Sequence, residues 1–211
     1  MTDAIGRGGQ WVGPVSGLLF VVAVVIGGAV FMGIDAEPSD PASAVLAELR
    51  ENADQIGTAT LLTALGVGFL LVFIGHLRVR LRSGGSGWAA DVFLTGGLAL
   101  AAGWMMLLGA QGTGRVAGAN GHAEVAQAVI DFLWEGSSLF IPGLLAIGIA
   151  ASAASLAYRA LPIWLGIFAA VVAVGALAPW LGILVFVGWV LAASLSDLIR
   201  PSRRTGRVTP A

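Results

Sequence analysis

The chain has 211 residues, of which 57% are hydrophobic and 11% charged, and its formal net charge is −1. Soluble domains carry about 25% charged residues, so this composition is too poor in charge for a water-facing surface and predicts a protein embedded in lipid. The sequence contains no cysteine, which excludes disulfides, thiolate metal sites and a cysteine nucleophile.

The first apolar segment, residues 12–34, contains no charged residue. At 1.5 Å per residue it is long enough to cross a hydrocarbon core of about 30 Å. Its apolar part is longer than that of a cleaved signal peptide, and no small-x-small cleavage pattern follows it. We therefore predict a retained membrane span.

An acid-rich segment, residues 35–54, follows the first span and holds six acids against the single Arg50. Asp40 is followed by proline, a pair that predicts a helix with aspartate as its N-cap. Val45 and Leu49 recur at helical spacing beside acidic residues. This pattern predicts an amphipathic helix at the outer membrane surface.

The whole pattern predicts an all-α, polytopic bundle of six membrane spans. They form one domain, residues 1–198, followed by an arginine-rich tail, residues 199–211, that we predict to be disordered. The glycine-rich residues 111–121 are predicted to form a loop. The predicted spans are residues 12–34, 56–77, 88–110, 136–158, 160–178 and 180–198.

Two proline residues shape the last three predicted spans. The fourth helix is predicted to run from His122 to Tyr158, longer than a membrane requires, with a kink at Pro142. Residues 160–196 then contain no charge and would be about 55 Å long as one helix. Pro179 divides this stretch, and the sequence leaves open two full spans or one span plus a re-entrant helix.

Charge predicts the orientation of the bundle. Arg78, Arg80 and Arg82 cluster after the second span, and short arginine-rich loops are retained in the cytoplasm. Six spans with both ends inside place nine of the eleven arginines in the cytoplasm and nine of the twelve acids outside. The predicted location is therefore a cytoplasmic (inner) membrane, with the chain crossing it several times.

One candidate site lies at the outer end of the fourth helix, where Asp131 and Glu135 are four residues apart and share a helix face, with His122 and Glu124 upstream. One hypothesis is an external cation or zinc site. We favour solvated acids on a helix extension, because no His-x-x-x-His or cysteine pair accompanies them. No metal or cofactor is predicted.

A second candidate is the pair His76 and Asp91, which flank the arginine loop and could meet at one depth. A functional pair would titrate near neutral pH, but a headgroup contact explains the same residues more simply. No ionisable residue is predicted near the membrane midplane, which argues against a proton relay. His76 and His122 fall on opposite sides, so they cannot share a haem.

The predicted partner is the bilayer itself, with anionic lipid headgroups at the arginine loop and at the tail. We predict no nucleic-acid binding. Small residues such as Gly96, Gly97 and Gly103 provide close helix contact within the bundle or in a homo- or hetero-oligomer.

Three segments carry a resemblance to a known family: Glu48–Ile56, Leu77–Arg82 and Leu161–Gly166. On these segments the chain resembles a widespread group of small bacterial multi-pass membrane proteins classed as a domain of unknown function. The resemblance implies a six-helix integral membrane protein and supplies no catalytic residues.

Three classes of function follow. We favour a structural, interaction or accessory component of the membrane, which is not an enzyme and needs no buried polar site. The first alternative is a transporter or channel for a neutral or apolar small molecule. The second is a membrane-embedded enzyme with an external acidic site at Asp131 and Glu135. The candidates for lining a transport path are Thr58, Thr60, Thr63, Ser137 and Ser138.

Overall fold

The computed structural model describes residues 2–31, 33 and 35–199. Within these residues the chain is entirely helical, with no β-strand, and one 3-10 segment, Gly136–Phe140, joins two of the helices. The α-helices are α1 (Thr2–Phe31), α2 (Ala42–Glu51), α3 (Ala53–Ser83), α4 (Gly87–Asn120), α5 (Ala123–Glu135), α6 (Ile141–Leu156), α7 (Ile163–Gly175) and α8 (Pro179–Ile199).

In the described part of the chain, five helical segments are long and apolar enough to cross a membrane. One of them is the continuous rod formed by α5, the 3-10 segment and α6. The remaining apolar helix, α7, has 13 residues and covers about 20 Å. The predicted all-helical fold with several spanning-length helices is therefore confirmed. The spanning-length segments are Trp11–Phe31, Ala53–Ser83, Gly87–Asn120, Ala123–Leu156 and Pro179–Ile199.

Six of the helices form a closed ring. In chain order α1 packs against α3, α3 against α4, α4 against α6, α6 against α7 and α7 against α8, and α8 returns to α1. Closure of the ring gives each helix two main neighbours within the ring and one outward face. Large apolar side chains such as Leu184 and Val174 cover these outward faces, as expected of a surface in contact with lipid.

Neighbouring helices of the ring run in opposite directions. Gly13, early in α1, lies against His76, late in α3, while Gly27, late in α1, lies against Thr63, earlier in α3. We call the end where α3 finishes the arginine end, because residues 78–82 there contain three arginines. The opposite end is the acidic end.

Charged side chains are divided between the two ends. Among residues 11–31, 33 and 35–199, the acidic end carries nine acids and two arginines, whereas the arginine end carries four arginines and two acids. The arginine end holds Arg78, Arg80, Arg82, Arg159, Asp91 and Asp197, and the acidic end holds Arg50, Arg115 and the remaining acids.

Aromatic side chains fill the centre of the ring. Trp189 of α8 is fully buried, and its ring centroid lies 6.5 Å from that of Phe73, 6.1 Å from Phe93 and 6.3 Å from Phe186. Its indole N–H donates to the Leu165 carbonyl at 3.0 Å, which satisfies a polar group that would otherwise be unpaired in an apolar interior. We call this group, completed by Phe20, the aromatic core.

The predicted loop over residues 111–121 is wrong, because α4 continues to Asn120. The glycines there serve close packing. A Cβ at Gly114 would lie 3.0 Å from Val129 of α5, and one at Gly118 would lie 3.3 Å from the backbone of α2. Helix α4 ends only at Gly121, whose φ of +78° is the left-handed conformation that glycine adopts without strain.

The predicted long fourth helix is present, from Ala123 to Leu156, with an interruption just before Pro142. The 3-10 segment carries the irregular backbone, and Pro142 lies in the first turn of α6. At that position the missing proline N–H removes no helical hydrogen bond, so the break falls on the preceding residues.

The predicted amphipathic helix is α2, which buries Val45 and Leu49 against α4 and α5. Its N-cap is Pro41 and not Asp40 as predicted. The Asp40 carboxylate instead accepts a hydrogen bond from the Glu37 N–H at 2.8 Å and closes the turn that precedes the helix.

Helix α2, helix α5 and the last turns of α4 together form a helical cap on the acidic end. The connector before α2 is tied across this cap. The Gln127 amide donates to the Pro38 carbonyl at 2.9 Å, and the Trp134 indole N–H donates to the Ala36 carbonyl at 3.4 Å. At the other end of the chain, the tail predicted to be disordered lies outside the described residues, except for Ile199, which ends α8.

Candidate functional site

The most enclosed charged group of the arginine end is the Asp197 carboxylate, in the last turns of α8. Its side chain is only 7% exposed and forms an ion pair with Arg80 of α3. Its Oδ2 atom also lies 3.5 Å from Nε2 of His76. His76 and Arg80 are four residues apart and therefore share one face of α3. We call these three residues the Asp197 cluster.

Helix α1 makes room for the Asp197 cluster by presenting glycines to it. A side chain at Gly13 would overlap the His76 ring, and one at Gly17 would overlap the Ser194 hydroxyl. The three helices α1, α3 and α8 consequently approach closely at this point. The start of α1 and the end of α8 are thereby fixed at the arginine end.

The chemistry of the Asp197 cluster follows from its charges. A carboxylate withdrawn from water is costly unless an opposite charge compensates it, and Arg80 supplies that charge. The Arg80 side chain is 34% exposed, so its guanidinium still reaches the bundle surface. Ser194, one turn before Asp197, is fully buried and is not placed to meet a substrate. The arrangement therefore ties α8 to α3.

The structure does not pair His76 with Asp91. Asp91 is bound by Arg78 at 2.8 Å, in an ion pair on the bundle surface. The physical reason is helix geometry: Arg78 follows His76 by two residues, about 200° around α3, so the two side chains face different neighbours. His76 faces α1 and α8, whereas Arg78 faces α4.

At the acidic end, His122, Glu124, Asp131 and Glu135 are all exposed. Asp131 accepts a weak hydrogen bond from Gln127, at 3.3 Å on the same helix. A shallow surface pocket of about 260 Å³ includes His122 and Glu124. Within the described residues no three His, Asp or Glu side chains converge as metal ligands would. The prediction that Asp131 and Glu135 bind no ion stays a prediction.

The hydroxyl groups considered for a transport path bond chiefly to the helices themselves. Thr58 and Thr60 donate to backbone carbonyls one turn earlier, and Thr60 also lies 3.0 Å from the Gln111 side chain. Ser138 donates to the Glu135 carbonyl. Thr63 is buried against Gly27 at the contact of α1 with α3.

Sequence reasoning missed the role of Asp197, which it placed at the end of the sixth predicted span without a partner. The sequence nevertheless contains a signal for this ion pair. Asp91 and Asp197 are the two described acids that fall on the arginine side of the charge partition, and each pairs with an arginine of residues 78–82. An acid at the end of an apolar segment, on the same side as an arginine cluster, predicts such a pair.

Comparison of the chain with protein-family models, with curated proteins and with solved structures found no match. The predicted membership of a family of multi-pass membrane proteins stays a prediction.

Proposed function

We propose that this protein crosses a cytoplasmic (inner) membrane six times, with both ends in the cytoplasm. The charge partition supports this orientation, because short arginine-rich segments are retained in the cytoplasm. The arginine end would face the cytoplasm, and the acidic end with its helical cap would face outside.

The proposal counts α7 as a full crossing and not as a re-entrant helix. Support comes from its partner: α8 has 21 residues and covers about 31 Å. The two helices lie side by side from Gly175, which contacts Gly182, to Leu165, whose carbonyl binds Trp189. The connectors on either side of α7 would supply the remaining thickness of the crossing.

Within this topology we propose a structural or accessory role and no enzymatic activity. The observation that carries the proposal is the aromatic core, whose five side chains are each at most 2% exposed and occupy the centre of the ring where a transport path would run. The helical cap, to which the connector before α2 is tied by side-chain hydrogen bonds, is the part of such a component that would be presented outside the membrane.

A flux measurement separates this proposal from the transporter alternative. Liposomes containing the purified protein are expected to take up glycerol and water at the same rate as protein-free liposomes, because the aromatic core leaves no polar route. Faster uptake that Thr63→Val slows would contradict the structural role and support a transporter. Thr95→Val is the matched control, since Thr95 is exposed and bonds to its own helix.

A further inference from the structure

An apolar groove runs along the outside of the bundle at the arginine end, between the start of α7 and the last turns of α8. Its volume is about 390 Å³. Trp164 and Leu195 on its walls are 46% and 42% exposed, so the groove opens outward and not toward the aromatic core. The lining residues are Trp164, Ala192, Leu195, Ser196 and Ile199.

The position of this groove matches the boundary between headgroups and hydrocarbon. Ser196 precedes Asp197, whose carboxylate binds Arg80, so the groove begins at the level of charged groups. Ala192, four residues earlier in α8, lies about 6 Å from the level of Ser196, toward the apolar middle of the bundle. A tryptophan on the wall is typical of this interface.

Hydrogen-bond donors converge at the charged end of the groove. Helix α7 begins there after Pro162, and no side chain caps it. The Leu165 N–H donates to the Pro162 carbonyl at 3.0 Å, which leaves the N–H groups of Ile163 and Trp164 available to a ligand. Ser196 is 8% exposed, lines the groove, and its hydroxyl has no hydrogen-bond partner among residues 35–199. Arg159 adds a positive charge in the connector that leads into α7.

We propose that the groove binds a glycerophospholipid with an anionic headgroup. One acyl chain would lie against Trp164, Ala192 and Leu195, and the phosphate would lie at the start of α7 near Ser196. Helix N-termini favour negative groups, because their free N–H groups and dipole point toward the ligand. The proposal rests on the membrane embedding proposed above.

A lipid fits this groove better than a second copy of the chain. A stable protein interface buries at least about 1,000 Å², far more than a groove with five lining residues offers. The apolar wall excludes a soluble polar ligand. The positive end of the α7 dipole and the charge of Arg159 favour a headgroup of net negative charge over a zwitterionic one, whose choline cation they would repel. Charge complementarity therefore selects the occupant.

Tryptophan quenching by brominated lipids tests the proposal. The protein is placed in phosphatidylcholine vesicles that contain a minor fraction of phosphatidylglycerol, with bromine on the acyl chains of one lipid at a time. Per molecule, brominated phosphatidylglycerol is expected to quench Trp164 about fivefold more strongly than brominated phosphatidylcholine. The excess should vanish in Trp164→Phe and persist in Trp180→Phe, which changes the opposite end of α8.

A second pair of variants tests whether the groove itself selects the lipid. Ala192→Phe should fill the groove and abolish the excess quenching, whereas Leu184→Phe, on the same helix but outside the groove, should retain it. Equal quenching by the two lipids, or an excess that survives Ala192→Phe, would overturn the lipid site while leaving membrane embedding intact. Quenching by neither lipid would overturn embedding and the site together.

Discussion

Replacing Asp197 with asparagine is expected to lower the free energy of unfolding by about 2 kcal/mol. The reason is that Arg80 and His76 would then face a sheltered neutral amide in place of a carboxylate. Removing one partner of a fully buried ion pair costs about 3–5 kcal/mol, and the partial exposure of Arg80 reduces that figure. Reversible unfolding in mixed detergent micelles measures the change.

The matched control is Asp91→Asn, which removes the exposed ion pair with Arg78 at the same end of the bundle. Exposed pairs contribute little, so this variant should unfold almost as the wild type does. A double-mutant cycle with Arg80→Gln should show that the effects of Asp197→Asn and Arg80→Gln are strongly non-additive. Equal losses for Asp197→Asn and Asp91→Asn, or an additive cycle, would show that the Asp197 cluster does not hold α8 in place.

Gly96→Val is expected to destabilise the bundle by about 3 kcal/mol, or to prevent folding, because α4 and α6 touch backbone to backbone at this point. A Cβ at Gly96 would lie 2.7 Å from that of Ala146 and 3.0 Å from the Gly143 carbonyl oxygen. The milder Gly96→Ala should lower the free energy of unfolding by less. This variant allows the effect to be measured even if the valine variant fails to fold. The assay is the same unfolding experiment.

Gly109→Val on the same helix is the control for backbone effects. A Cβ at Gly109 would meet no other atom within 4 Å, so valine costs nothing in packing and is a slightly better helix former than glycine. Its stability should match or slightly exceed that of the wild type. Similar losses at Gly96 and Gly109 would indicate that helix propensity, and not the contact of α4 with α6, governs the result.

The sequence predicted most of the helices because its dominant signals are local. Charge-free apolar segments identify helices of membrane length, and the pattern around Val45 and Leu49 identifies an amphipathic one. The glycine-rich residues 111–121 were misread because a glycine that permits close packing looks the same in sequence as a glycine that forms a turn. Only the positions of α2 and α5 decide between the two roles.

The candidate site was less predictable because it depends on contacts between distant segments. His76 and Asp91 are close in the sequence and were considered as a pair that could meet, but the rotation of α3 directs His76 toward α8 instead. The partner of His76, Asp197, lies 121 residues further along the chain. Which face of a helix meets which neighbour follows from the closure of the ring, and periodicity within one helix does not encode it.

The orientation of the bundle is tested most directly by labelling single cysteines from one side of the membrane, in a chain that has no native cysteine. Suitable exposed positions are Ser39 and Asn120 at the acidic end, and Ser83 and Tyr158 at the arginine end. Ser86 and Gly118 lie near these positions in the chain, but both are buried and would be shielded from the label.

In intact cells of a bacterial host, an impermeant maleimide should label Ser39→Cys and Asn120→Cys, whereas Ser83→Cys and Tyr158→Cys should react only after permeabilisation. Labelling of Ser83→Cys or Tyr158→Cys in intact cells, with protection of the other two, would contradict the proposed orientation of the bundle.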